Sequence, residues 1–202
     1  MDSQALFGKG ANRECYLHPE ENDKCIKIRF SKNDQKDKLE QYYYARLSKR
    51  KISWEMLSRS YGTVKTDRGT GYVFELIRDY DGNISKTLQY YLSREGSREI
   101  SVEAVCQTLT RIKQYLLNEK IILTNIKTYN LVYKKISPDE GLLIIIDNIG
   151  YHNAYFHLCE YVEWFAIYRI RKKWKNFLTD LARDYKHHEK FYQAIVHMSC
   201  NP

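Results

Sequence analysis

The sequence predicts an α+β fold in two lobes, a small antiparallel sheet carrying one helix and then a reduced, mainly helical lobe. Short apolar segments separated by Gly, Asn and Asp turns fill the chain up to Ile77, as strands and hairpins do. Beyond Asp79 the apolar residues recur at helical spacing. The chain has 202 residues, 43% hydrophobic and 29% charged, enough for a sizeable core and too few for several modules.

The strands come first. Leu6-Phe7, Glu14 to Leu17 and Lys24 to Ile28 are separated by Gly8-Lys9-Gly10-Ala11-Asn12 and by His18 to Asp23, giving a hairpin with a third strand. From Asp34 to Lys49, Leu39, Tyr43 and Leu47 form one apolar stripe of an amphipathic helix. Tyr61 to Thr66 and Gly71 to Ile77 flank the polar turn Asp67-Arg68-Gly69-Thr70, which adds two antiparallel strands. Asp79-Tyr80-Asp81-Gly82-Asn83 is the linker, so the lobes run 1–78 and 79–202. Helices follow at Leu88 to Leu92 and Val102 to Asn118, the second with Val105, Leu109, Ile112 and Leu116 on one stripe. Leu131-Val132-Tyr133 and Leu142 to Ile146 pair through a turn at Ser137 to Gly141, and Leu158 to His197 is helical, aromatic and basic.

Several classes are excluded. The longest apolar run, Leu142 to Ile146, stops at Asp147, far short of the roughly 20 residues of a membrane span. Met1 to Phe7 does not read as a secretory leader, which makes the cytoplasm the expected compartment. The 5 cysteines are odd in number, scattered and without a C-x-x-C pair, which argues for reduced thiols over a disulfide framework or zinc site. A formal net charge of +8 draws anions of any kind.

Candidate chemistry lies in a few positions. Gly8 and Gly10 bracket a turn whose amides can approach a phosphate, although an ordinary hairpin turn reads the same way. Lys27 interrupts an apolar strand, so it either faces solvent or meets an anion, and Glu40 lies near the inward stripe of the helix that follows. Asn130 and Asp147 bracket a hairpin, which brings an amide oxygen and a carboxylate together as hard ligands for Mg²⁺. Around Trp164 and Trp174, Arg169, Arg171, Lys172, Lys173 and Lys175 form either a solvated face or an anion-binding surface.

In order, these features repeat the parts of the protein kinase fold, and the chain resembles the YrbL-like proteins of the PhoP regulatory network, small bacterial members of the kinase-like superfamily. The resemblance runs from about Leu6 to Gly150 and is carried by Gly8-Lys9-Gly10 through Tyr16, Cys25-Ile26-Lys27-Ile28, Tyr61-Gly62-Thr63-Val64, Gly69 to Val73, Ile126-Lys127-Thr128-Tyr129-Asn130, and Asp147-Asn148-Ile149-Gly150. It implies ATP and Mg²⁺ as cofactors. By the same resemblance Lys27 holds the α and β phosphates with Glu40 as its helix partner, and Glu75, Leu76 and Ile77 form the hinge that meets the adenine. Asn130 and Asp147 are implied as the metal ligands and Lys127 as the group that steadies the transferred phosphoryl.

One departure matters. Where a kinase has H-R-D, this chain reads Leu123-Thr124-Asn125, and an asparagine orients a hydroxyl without accepting its proton. Arg13 stands where the third glycine of the loop would be, a place from which it or Lys9 would contact phosphates, and no A-P-E-like segment follows Gly150. The implied function is an atypical ATP-dependent phosphotransferase acting on a protein hydroxyl or on a phosphorylated glycan or lipid-linked sugar. The alternative is a pseudokinase, a nucleotide-binding interaction module. Nucleic acid is the less favoured partner, and the basic carboxy-terminal helix is the segment that would meet a membrane surface.

Overall fold

A computed structural model describes residues 6–10, 12–31, 33–150 and 162–200. It shows a mixed α+β protein. Strands β1 (Leu6–Lys9), β2 (Arg13–Leu17), β3 (Lys24–Arg29), β4 (Ser60–Thr66) and β5 (Gly69–Glu75) make one sheet in the order β1-β2-β3-β5-β4, every neighbouring pair antiparallel. Gly69, at φ +113°, opens β5, so the last two turn residues expected from sequence, Gly69 and Thr70, already belong to the strand, which ends at Glu75, two residues before the expected Ile77.

Helix α1 (Gln35–Lys49) joins β3 to β4. Its Tyr43, Tyr44 and Leu47 enter the main core, where the Tyr44 ring stacks on Trp54 and meets Phe74 edge-on. Burying such side chains stabilises the fold by about 2 kcal/mol each. The expected stripe is corrected at one position. Leu39 is 39% exposed, and the inward face instead carries Asp37 and Glu40, because arginines on the sheet neutralise them. Among the three consecutive tyrosines, Tyr42 points outward while Tyr43 and Tyr44 are buried.

The rest is helical around one β ribbon. Helix α2 (Leu88–Tyr91) is capped by the Thr87 hydroxyl, and α3 (Val102–Glu119) by that of Ser101. Strands β6 (Leu131–Lys135) and β7 (Gly141–Ile145) pair antiparallel, with Leu131 opposite Ile145. A Cβ on Gly141 would sit 2.3 Å from the Tyr133 ring, so only glycine lets the strands close there. Helices α4 (Glu163–Asp184) and α5 (Glu189–Cys200) divide the helical tail near Tyr185, while Leu158 to Tyr161 fall outside the described residues. Ala166, Ile170, Trp174, Phe177, Leu178 and Leu181 of α4 are buried, whereas Trp164 is 71% exposed.

One large core runs from Cys25 and Tyr43 through β6 and β7 to Phe191 and Ile195. A smaller one, Tyr16, Ile26, Ile28 and Val73, lies on the other face of the sheet. Strand alternation assigns β3 to both: Ile26 and Ile28 face the small core, and Lys27 shares the opposite face with Cys25. Cys15, Cys25 and Cys106 are free thiols, and Cys159 falls outside the described residues. Among the described residues no helix is long and apolar enough to cross a membrane.

Candidate functional site

Charged side chains from four separate segments converge between the sheet and the β6–β7 ribbon. β2 and β3 pair with Arg13 opposite Arg29, which sets two guanidinium groups side by side. Like charges in that position repel unless an anion lies between them. Asp37, on the inward face of α1 and 1% exposed, supplies it: Arg29 donates to it through Nε (2.5 Å) and Nη2 (2.9 Å), and Arg13 Nη1 lies 3.3 Å from Oδ1.

Arg13 goes further. Its Nη1 donates to Glu40 Oε2 at 2.9 Å, and its Nη2 donates to Asp147 Oδ1 at 2.8 Å. One side chain therefore ties the glycine-bearing turn to α1 and to the segment after β7. Burial works against its charge, but Glu40, Asp147 and Asp37 outweigh burial and hold the guanidinium more basic than usual.

Lys27 is only 5% exposed, so the solvent-facing reading is overturned. Its Nζ donates to the Ile146 carbonyl at 2.5 Å and lies 4.3 Å from the centre of the Phe74 ring. The carboxylate of Glu40 is engaged by Arg13, while Lys27 acts on both Glu40 and Asp147 through its charge.

The two acids behave differently. Burial, then the neighbouring Asp147, push Glu40 up to about 7 against the pull of Arg13 and Lys27. For Asp147, burial is outweighed by the charges of Lys27 and Arg13 and by the Asn148 amide, which donates to Oδ1 at 2.6 Å, so its carboxyl stays below the usual range. Of these two acids, Asp147 is the one its surroundings favour as the carboxylate, and Glu40 is the one whose proton release is pushed toward neutral pH.

Tertiary contacts fix the rest of the site. The Ile146 amide donates to the Asn130 carbonyl at 3.0 Å, which places the buried Asn130 at the mouth of the ribbon beside Asp147. Asn148 takes the left-handed φ of +65°, and Thr124 binds its carbonyl through both amide (2.9 Å) and hydroxyl (3.0 Å). Gly150, at φ +87°, packs under Tyr43, whose hydroxyl accepts from the Ile122 amide at 2.9 Å. Helix α1 is in this way locked to the loop that bears Asn125.

Asn125 itself is exposed, and Lys127 pairs with Asp180 of α4 at 2.7 Å. Gly8 lies within β1, paired with Cys15, so the turn expected from Gly8 onward starts only at Gly10, whose amide donates to the Arg13 carbonyl at 2.8 Å. At the end of β5 the Glu75 and Leu76 amides donate to the Arg59 and Asp23 carbonyls, and the Ile77 carbonyl accepts from Ser85. The sequence reading brought together Lys27, Glu40, Asn130 and Asp147, but it assigned Arg13 to phosphates and passed over Arg29 and Asp37. A signal was present: Asp37 precedes Glu40 by one helical turn, and Arg29 follows Lys27 at the strand period.

An antiparallel sheet, one buried acidic helix face and the arginine and lysine side chains that meet it define the class, a mixed α+β protein with an ionic centre between sheet and ribbon. The chain belongs to the family described as PhoP regulatory network protein YrbL, whose model matches residues 1–182. It is 34% identical over 185 residues to the "Uncharacterized protein YrbL" of Escherichia coli (strain K12), an overlap of 90% of this chain and 87% of that one. A Shigella flexneri protein of the same description matches to the same extent.

Proposed function

We propose that the protein is a bilobal, kinase-like phosphotransferase that binds ATP with Mg²⁺ at the Lys27–Glu40–Asp147 centre and transfers a phosphoryl group to an acceptor hydroxyl. The observation that carries the reading is the convergence of the buried Lys27 and Glu40 with the half-buried Arg13 and Asp147, two cations facing an acid pair. Such a centre suits a polyphosphate, whose negative charge Lys27 and Arg13 would share.

The donor set fits magnesium. Mg²⁺ takes one or two protein oxygens and completes its shell with phosphate and water. Asn130 and Asp147 offer an amide oxygen and a carboxylate kept ionised by its surroundings. The ion, when bound, would neutralise charge on the phosphates. Arg13 would turn from Asp147 toward the nucleotide, and Glu40, ionised next to Lys27, would hold the lysine in place. Asn125 would orient the acceptor hydroxyl and Lys127, released from Asp180, would offset charge on the transferred group.

A second reading has its own support. Arg13 already occupies Asp147 Oδ1, and Asn125 stands at the general-base position, so a nucleotide-binding module without transfer uses the same residues. Melting temperatures with ATP and with ADP, each with and without Mg²⁺, test the shared core of both readings on wild type and D147A. A ligand selective for the folded state raises the midpoint. The expected result is an upward shift that depends on Mg²⁺ and disappears in D147A, and no shift with any nucleotide refutes the proposal.

A further inference from the structure

The outer face of α4 carries a cationic groove that leads to Asn125. Phe165, Tyr168, Arg169, Lys172, Lys173 and Asn176 line a hollow of about 240 Å³. A second hollow of about 270 Å³ shares Lys173 and Asn176 and continues to Asn125, Phe177 and Asp180. One turn of helix, about 5 Å, separates Lys173 from Asn176, so the cationic end lies only a turn or two from Asn125.

Among the described residues, the one carboxylate that lines either hollow is that of Asp180, and it is already paired. Every acid of α4 is committed elsewhere: Glu163 to Lys120 (3.1 Å), Asp180 to Lys127 (2.7 Å) and Arg183 (3.0 Å), and Asp184 to Arg183 (2.8 Å). Among the described residues, Arg169, Lys172 and Lys173 have no carboxylate partner. The Arg169 Nε is buried without a hydrogen-bond acceptor, which costs free energy that an anion would recover. Burial, then the charges of Arg169 and Lys172, lower the basicity of Lys173.

We propose that this groove is an anion site for a phosphomonoester, and that it seats the phosphate of an acceptor whose free hydroxyl reaches Asn125. A phosphomonoester is close to a dianion at neutral pH and has several acceptor oxygens, enough for three cationic groups at once. Phe165 and Tyr168 flank the phosphate end with ring surface for the organic part of the ligand. The role at Asn125 rests on the phosphotransferase reading, whereas the anion site stands on the groove alone.

Calorimetric titration of the full chain with phenyl phosphate and phenyl sulfate tests it. The expected result is binding of phenyl phosphate at least about tenfold tighter than the singly charged sulfate, with at least about a tenfold loss in K172Q/K173Q. Among the described residues neither lysine has an ion-pair partner, so this variant should melt as wild type does, and R169Q supplies an independent loss. Sedimentation with phosphatidylcholine vesicles, with and without phosphatidic acid, identifies the source: binding to the acidic vesicles that the double variant loses assigns a lipid headgroup, and binding of phenyl phosphate alone assigns a soluble ester. Neither probe binding, or equal affinity in wild type and variants, overturns the site. The ATP–Mg²⁺ melting shift, read on the same samples, keeps the two proposals apart, since K172Q/K173Q should retain it and its absence from wild type refutes the transferase while leaving the anion result standing.

Discussion

Glu40 makes the stability of this fold depend on pH in a way that a single substitution isolates. Its carboxyl is pushed from 4.5 to about 7 in the folded protein, first by burial and then by Asp147. The folded state therefore binds the proton more tightly than the unfolded chain. Linkage then requires the contribution of this group to be fully present below pH 4.5 and to be lost as pH rises through 7. At 1.36 kcal/mol per unit, the loss amounts to about 3 kcal/mol. Glutamine mimics the neutral acid and cannot titrate, so E40Q should lose that part of the slope. The assay is guanidinium unfolding of wild type and E40Q at pH 5, 6, 7 and 8, followed by fluorescence that includes the buried Trp174. Groups that do not touch Glu40 cancel in the difference, and Asp147, held below its ordinary 3.8, contributes stability that is lost only in acid, outside this window. The difference in stability between the two proteins should shift by about 3 kcal/mol from pH 5 to pH 8, in favour of E40Q at high pH. Parallel curves within about 1 kcal/mol would refute the burial argument for Glu40.

Two further substitutions probe the same centre. R13A removes the cation that Glu40 and Asp147 share, and breaking a buried pair destabilises by about 3 kcal/mol; the loss should be largest at pH 8 and smaller at pH 5.5, where Glu40 takes up a proton, so an equal loss at both pH values in chemical unfolding rules the clamp out. N125D supplies a proton acceptor at the exposed loop position and should raise single-turnover phosphoryl transfer by about a hundredfold, and an active wild type with no gain in the variant would show that transfer proceeds without a base at this position.

Much of this architecture is legible in local sequence because local physics decides it. The alternation of Cys25, Ile26, Lys27 and Ile28 and the stripe Val105, Leu109, Ile112 and Leu116 each place an element almost to the residue, and the glycine turn at Gly69 places its strand to within two. The pairing of Leu131 to Tyr133 with the run before Asp147 was equally readable, and it brought Asn130 and Asp147 to one end of a ribbon. Leu39 shows where such reasoning stops. An apolar residue at the right spacing is exposed, while Asp37 and Glu40 turn inward, because whether a charge can be buried depends on its partners and not on its neighbours in sequence.

Those partners are remote. Arg13 lies 27 positions from Glu40 and 134 from Asp147, separations over which no periodicity carries information. The sequence by itself determined where most strands and helices lie, and it grouped Lys27, Glu40, Asn130 and Asp147 as candidates for one site. Only the tertiary structure decided that Arg13 is the cation at Glu40 and Asp147, that Lys127 is held by Asp180, and that the basic face of α4 opens toward Asn125. The physical reason is that secondary structure follows from short-range sterics and hydrophobic period, whereas the pairing of buried charges is fixed by the close approach of segments that only the packed core brings together.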